Sequence, residues 1–355
     1  MSTPIETKRT RSYAEALLEA VAQEMRLDPD VFVMGMDVDD HKGILGSTLG
    51  LVDEFGAERV FSTPLSEDAM TGVAIGAALA GLRPIHVHIR MDFLMLCMNQ
   101  LVNIAAKAHY MYGGAVRVPL VVRSMIGKSW GQGAQHSQAL HAMFMHVPGL
   151  KVVAPSNAYD AKGCMTAAIR DNNPVMFVEH RHLYYTDAVV PEAPYLVPFG
   201  KANICRSGGD LTMVGVSNMV VECLRAHELL VEIGIEAEVI DPVSLVPLDI
   251  DTIVDSVKKT RRLLVVDNAW LTCGASAEIV AQVVERLGPS DIVVERAGFA
   301  TVPCPTTPSL EEVFYPNPAT LASAAHRLVR PGSGDWMPSP ESATMAYQQK
   351  FQGPF

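Results

Sequence analysis

The sequence predicts an α/β protein of two tandem parallel-sheet domains, and three observations predict it. Apolar strand-like runs alternate with helical periods almost throughout. A Pro-rich break, Asp187 to Gly200 with Pro191, Pro194 and Pro198, interrupts that alternation near the middle, where no regular element can continue. The length of 355 residues, 49% hydrophobic and 19% charged, suits two cores at about 150 residues each. The expected division is a first domain at residues 1–190, a linker at 191–204, a second domain at 205–335 and a C-terminal arm at 336–355.

In chain order, VFVMGMDV, IHVHI, VPLVVRSM, KVVAPS and VMFVEH read as the strands of the first domain. Between them fall a helix capped by Ser66, a long helix from Leu94 to Tyr112 stopped by Gly113-Gly114, a short one after Gln135, and one from Asn157 to Asp171. The second domain reads DLTMVGVS, a helix from Asn218 to Ile233, EAEVIDP, a helix near Ile250 to Val257, RRLLVVDN, a helix from Ser276 to Leu287, and DIVVERAG. Ser217 and Ser276 are expected N-caps and Gly234 a stop. The tail after Pro331, rich in Pro, Gly and Ser, is expected to be an arm or partly disordered.

The net charge of -11 argues against nucleic acid or an anionic membrane as the main partner. No stretch reaches the length of a membrane span and the N-terminus has no apolar signal region, so the expected location is cytoplasmic. The six cysteines stand singly, as small core residues of a reducing compartment.

Phosphate cradles are missing: no GxGxxG follows a strand, no GxxxxGK[ST] occurs, and GQGAQH comes closest but ends on His136. No G-x-S-x-G elbow is present either. A chain built like a cofactor enzyme without a phosphate site points to a site shared with another chain. One stretch, STPLSEDAMTGVAIGAALAGL, sets Glu67 and Asp68 at the mouth of a small, apolar helix. Both acids suit a helix N-terminus, but an acid carried into an apolar interface also keeps its proton more readily, which suits proton transfer.

These residues carry a resemblance. TPLSE, then GAQHSQ at Gly133 to Gln138, PGLKVVAPSNAYDAKG and IRDNNPV, in this order from about Ser12 to Leu328, resemble the β subunit of thiamine-diphosphate-dependent 2-oxo acid dehydrogenases (E1), a family similar to the C-terminal part of transketolase. The resemblance implies a pyrimidine-binding domain followed by a transketolase C-terminal domain. It also implies an α2β2 assembly whose α subunit, carrying a GDG…NN motif absent here, holds the diphosphate and Mg²⁺. Glu67 matches the Glu that hydrogen-bonds N1′ of the aminopyrimidine, and His136 the active-site His that steers the intermediate and exchanges protons when the acyl group is passed on. Phe93 matches an aromatic packed on the pyrimidine. Met36 and Asp37 fall where the family commonly has G-E-[ED]-V, so Met36 replaces a pocket Glu. Arg90, His88 and Trp130 are expected to border the substrate pocket, with Arg90, Arg123 or Lys128 able to hold a carboxylate or phosphate, though Lys128 reads first as a solvated charge. The IRDNNP turn resembles a K⁺ loop, with Leu120, Ala168, Ile169, Asp171 and Asn173 as expected ligands; the same turn also reads as a simple helix end. His180 and His182 follow a strand end and could border the site.

Three functions follow in order of expectation: a dehydrogenase β subunit that passes an acyl group to the lipoyl domain of an acyltransferase (E2), a split transketolase-like enzyme using an aldehyde or sugar acceptor, and a non-catalytic scaffold. Glu67 and His136 together speak against the third.

Overall fold

The computed structural model describes residues 9–128 and 131–348. Trp130 therefore lies outside the described residues. Two sheets form the body. The first has seven strands in the spatial order Ser244–Val246, Lys151–Val153, Val175–His180, Val121–Ile126, Arg83–His88, Val31–Gly35 and Val60–Ser62. All neighbours run parallel except Ser244–Val246, which pairs antiparallel. The second sheet runs Val293–Phe299, Arg262–Trp270, Leu211–Gly215, Ala237–Asp241 and Asn203–Arg206, with only the last pair antiparallel. A two-stranded ribbon, Thr10–Ser12 with Asp187–Val189, closes the first domain.

Val121–Ile126 and Val175–His180 are buried at every position, as central parallel strands covered on both faces must be. On one face of the first sheet pack the helices Tyr13–Leu27 and Ala158–Arg170. The first starts in a capping box between Ser12 and Glu15, and the second at Asn157, whose side chain accepts from Asp160 N. The helix Glu67–Leu79 and the segment Met91–Met111 contribute to the second cluster of the core.

Several expectations are corrected. Ser66 precedes the helix but its hydroxyl makes no cap bond, so Glu67 and Asp68 are what favour that N-terminus. The long helix begins earlier, at Met91, and changes winding along its length: 3₁₀ over Met91–Cys97, π over Asn99–Ala105, α over Ala106–Met111. Ser217 and Ser276 do not cap; the cap positions are Asn218 and Gly274, and Ser276 N instead donates to Asp267. Gly234 does stop its helix, at φ +73°. The tail includes the helix Pro340–Gln348, whose Ala346 is buried. Cys273 is exposed, unlike the other five cysteines. Finally, both sheets are mixed: Asn203–Arg206 runs antiparallel at the edge of the second, and the second domain lends the antiparallel strand Ser244–Val246 to the first.

That strand is one of several ties between the halves. His141 Nε2 lies 3.0 Å from Asp267 Oδ1, both wholly buried. Ser156 Oγ donates to Asp241, and Lys128 pairs with Glu311 at 3.3 Å. Residues 191–200 are packed rather than loose: Tyr195 stacks on Tyr159, and the carbonyls of Pro191 and Glu192 accept from the buried Lys162.

Candidate functional site

In the first sheet the chain leaves Val31–Gly35 toward Val60–Ser62 on one side and returns to Arg83–His88 on the other. Such a reversal opens a crevice at the carboxyl ends of the strands. Gly35 permits it, since a Cβ there would collide with the Val87 carbonyl of the neighbouring strand. Met36, half-buried, and Asp37, exposed and at φ +54°, follow directly. Glu67 opens the next helix and is half-buried at its first turn.

One turn further, Thr71 Oγ1 lies 3.4 Å from His88 Nε2, which ties this helix to the end of the strand Arg83–His88. His88 and His86 share a face as expected, their rings 4.2 Å apart edge to face. Burial holds His88 well below the usual imidazole range, helped by His86, and lowers His86 to about 4. Both are neutral near pH 7. Among the described residues no group of three His, Cys, Asp or Glu could hold a metal ion.

Phe93 and His136 meet edge to face with centroids 5.4 Å apart, so two expected site residues from distant segments come together. The loop bearing His136 is held from behind: Arg181 Nη1 donates to the carbonyls of Gly127, at 2.7 Å, and His136, at 3.1 Å. Asp92 Oδ1 accepts from Gln138 N and Nε2, at 3.1 and 2.9 Å, and fixes the far end of the same loop. Burial raises the Asp92 carboxyl. Arg90 is half-buried beside them, and burial lowers its guanidinium.

Sequence reasoning singled out neither Arg181 nor Asp92. The signal for Arg181 was there, a cation between two histidines at a strand's carboxyl end; Asp92 is ordinary until its contact with Gln138 is seen.

Other expectations do not converge on this site. Arg123 is no pocket cation: it is wholly buried and pairs with Glu179 through two bonds, at 2.6 and 2.9 Å, while donating to Ser47 at 2.7 Å. Lys128 faces the second domain, on Glu311 and 5.0 Å over the Tyr315 ring. His180 and His182 line a separate interdomain cleft of about 620 Å³ with Glu222, Glu311 and Tyr347. At the IRDNNP turn, Asp171 is paired with Lys151 and accepts from Asn173 N and Nδ2. The carbonyls of Leu120 and Ala168 already accept from Val175 N and Asp171 N. An ammonium group thus already answers the Asp171 carboxylate at this turn.

The helix Glu67–Leu79 has an apolar stripe with nothing over it. Ala69, Val73, Gly76 and Ala80 are exposed along one side, Val73 at 55%, and Leu65, just before the helix, at 77%. A monomer seldom leaves such a stripe bare, and a partner surface is the usual cover.

The side chains these elements offer near the crevice include the carboxylates of Glu67 and Asp37, the Phe93 ring and the Met36 thioether. They suit an aminopyrimidine, which needs a hydrogen-bond partner for a ring nitrogen and apolar contact on its faces. Among the described residues no glycine-rich turn at a helix N-terminus stands there to cradle a diphosphate.

Two family models match the chain. Residues 9–186 match the transketolase pyrimidine-binding domain, and residues 200–321 the transketolase C-terminal domain. The chain is 43% identical over 335 residues to the β subunit of acetoin:2,6-dichlorophenolindophenol oxidoreductase from Cupriavidus necator, covering 91% of this chain and 99% of that one. It is 42% identical to the pyruvate dehydrogenase E1 β subunit of Rickettsia felis, covering 88% and 97%. Among solved structures, a split-gene transketolase described as an inactive β4 tetramer shares the fold, with a TM-score of 0.74 at 20% identity over 90% of this chain and 98% of that one.

Proposed function

The chain belongs to the transketolase-like family of β subunits of thiamine-diphosphate-dependent 2-oxo acid dehydrogenases, and from that premise we propose that it forms half of an active site completed by an α subunit in an α2β2 assembly. The observation that carries this is Glu67, set at the mouth of a helix whose apolar stripe lies bare. A partner that closes over the mouth of the helix takes the carboxylate out of water, where it can share a proton with a ring nitrogen.

When bound, thiamine diphosphate supplies the carbanion-stabilising carbon that decarboxylation of a 2-oxo acid requires. This chain's residues then have separate tasks. Glu67 holds the proton at N1′ of the pyrimidine. Phe93 packs the ring, and Met36 and Asp37 border it, with Met36 making this wall less polar than a carboxylate would. His136, edge-on to Phe93 and held through its carbonyl by Arg181, is positioned to exchange a proton with the reacting group. Arg90 and His88 border the substrate.

We assign the diphosphate and Mg²⁺ to the α subunit and acyl transfer to the lipoyl domain of an E2 partner; an aldehyde acceptor is the alternative. No K⁺ is assigned, since Lys151 pairs with Asp171. We take the functional units to be residues 1–190 and 205–335. No described helix is long and apolar enough to cross a membrane. A cytoplasmic location is part of the proposal.

Glu67→Gln tests the assignment. The expected result is an assembled, folded complex whose thiamine-dependent turnover falls by about 100-fold or more, the lower range for loss of a positioned acid or base. Unaltered turnover rejects the role.

A further inference from the structure

We propose that the second domain sets the active-site histidine: its connector at residues 300–306 grips the loop that carries His136, and Cys304 and Thr306 are positioning residues for the reaction assigned above. The proposal rests on the role given to His136 and adds the part of the chain that holds it in place.

Between the strand Val121–Ile126 and the helix His141–Met145, the only regular element among the described residues is one short turn, Gly133–Gln135. The second domain meets this stretch repeatedly along its length. Lys128 pairs with Glu311 at 3.3 Å at its start, and His141 Nε2 lies 3.0 Å from Asp267 Oδ1 at its end. Two further contacts bracket His136 itself. Gly133 sits at φ +64° and so close to the connector that a Cβ there would stand 2.3 Å from the Thr306 methyl carbon, so both its backbone and its neighbour require glycine. On the other side of His136, Cys304 Sγ donates to the Ser137 carbonyl at 3.6 Å, with both residues buried. Burial pushes the Cys304 thiol up to about 11, so it keeps the proton it donates. A thiol is a weak donor, and the contact therefore contributes placement more than stability.

The connector is itself held firmly. Trp270 Nε1 donates to the Val302 carbonyl at 2.9 Å, and Ala300 N to the Phe314 carbonyl at 3.1 Å. Phe299, just before it, packs against Trp270, Phe314 and Tyr315 with centroids 4.9 to 5.7 Å apart. Arg181 and Asp92 hold the loop from the first domain, and a loop held from one side can still swing about that hold. A rigid grip from the opposite side removes the swing.

Glu67, Phe93, Met36, Asp37 and His136 all belong to the first domain, so the second has no other task at the cofactor crevice. Positioning gives it one, because a reacting group misplaced by about 1 Å can cost about 100-fold in rate.

The test uses the complex of this chain with its α partner, thiamine diphosphate, Mg²⁺ and pyruvate, in a double-mutant cycle between Cys304→Ala and His136→Ala. Alone, Cys304→Ala should lower kcat by about tenfold and leave KM within about twofold, as displacement of a reacting group does. In the His136→Ala background the same change should cost less than about twofold, because it acts through the histidine. Equal losses in the two backgrounds, or no loss in the first, overturn the proposal. A second pair reads the Thr306 contact. Gly133→Ala should lower kcat by about tenfold, and adding Thr306→Ser, which removes the methyl in its way, should recover about threefold of the loss. No recovery rejects the grip by Thr306.

Hydrogen exchange reads the grip without turnover. In Cys304→Ala the amides of residues 131–138 should exchange about tenfold faster than in wild type, while the strands of both sheets keep their rates. That result in a complex that decarboxylates nothing keeps the grip and rejects the decarboxylase reading. Equal rates in the two proteins reject the grip.

Discussion

Adjacent acids on one helix differ in what they do. Asp68 is exposed in the first turn and serves the helix dipole, so Asp68→Asn should cost about 0.3–1 kcal/mol in thermal unfolding and leave the proton chemistry in place. Glu67, half-buried next to it, is the acid to which we assign the proton chemistry, and no local rule tells the two apart. What marked Glu67 in the sequence was the order of several motifs along the chain. Charge type alone misled at Arg123, which reads as a pocket cation until Glu179 is seen beside it, because burial and partner come from strand pairing and not from the local sequence. Arg123→Met should destabilise the chain by about 3–5 kcal/mol in urea unfolding, since it leaves Glu179 buried without its partner. A change below about 1 kcal/mol would mean that the pair is replaceable by packing alone.

Among the elements, the central strands were legible because parallel strands covered on both faces read as continuous apolar runs. Short edge strands were not: Ser244–Val246 and Thr10–Ser12 have three residues each, too few to show a period, and both are defined by distant partners. The segment Met91–Met111 was legible as helix but not in its winding, since a change of hydrogen-bond spacing leaves little trace in apolar periodicity. The helix Glu67–Leu79 reads as small and apolar along its length, and the isolated chain buries only one side of it. Val73→Glu should therefore leave the chain folded, as judged by its circular dichroism, and abolish co-elution with the α subunit. If the variant still assembles, that stripe is not the covered surface.

For the whole molecule, two domains were legible but their interlocking was not, because the ties are single residues. Asp241, wholly buried, accepts from Ser156 across the junction; burial, with the charge of Asp160, raises it to about 7, and burial raises Asp160 to about 6. Both values lie above those of the unfolded chain, so the folded state binds more protons and stability falls as pH rises from about 4 to about 7. Asp241→Asn removes the titration at one site. Its thermal midpoint relative to wild type should rise between pH 5 and pH 8; a constant difference would show that Asp241 is ionised throughout. The same scale holds the central claim, that this chain is half of a catalytic site. The most direct measurement is 2-oxo acid decarboxylation with thiamine diphosphate and Mg²⁺ by this chain alone, by its α partner alone, and by the two co-purified. Turnover only in the co-purified complex is the predicted result. Turnover by this chain alone would contradict the shared site.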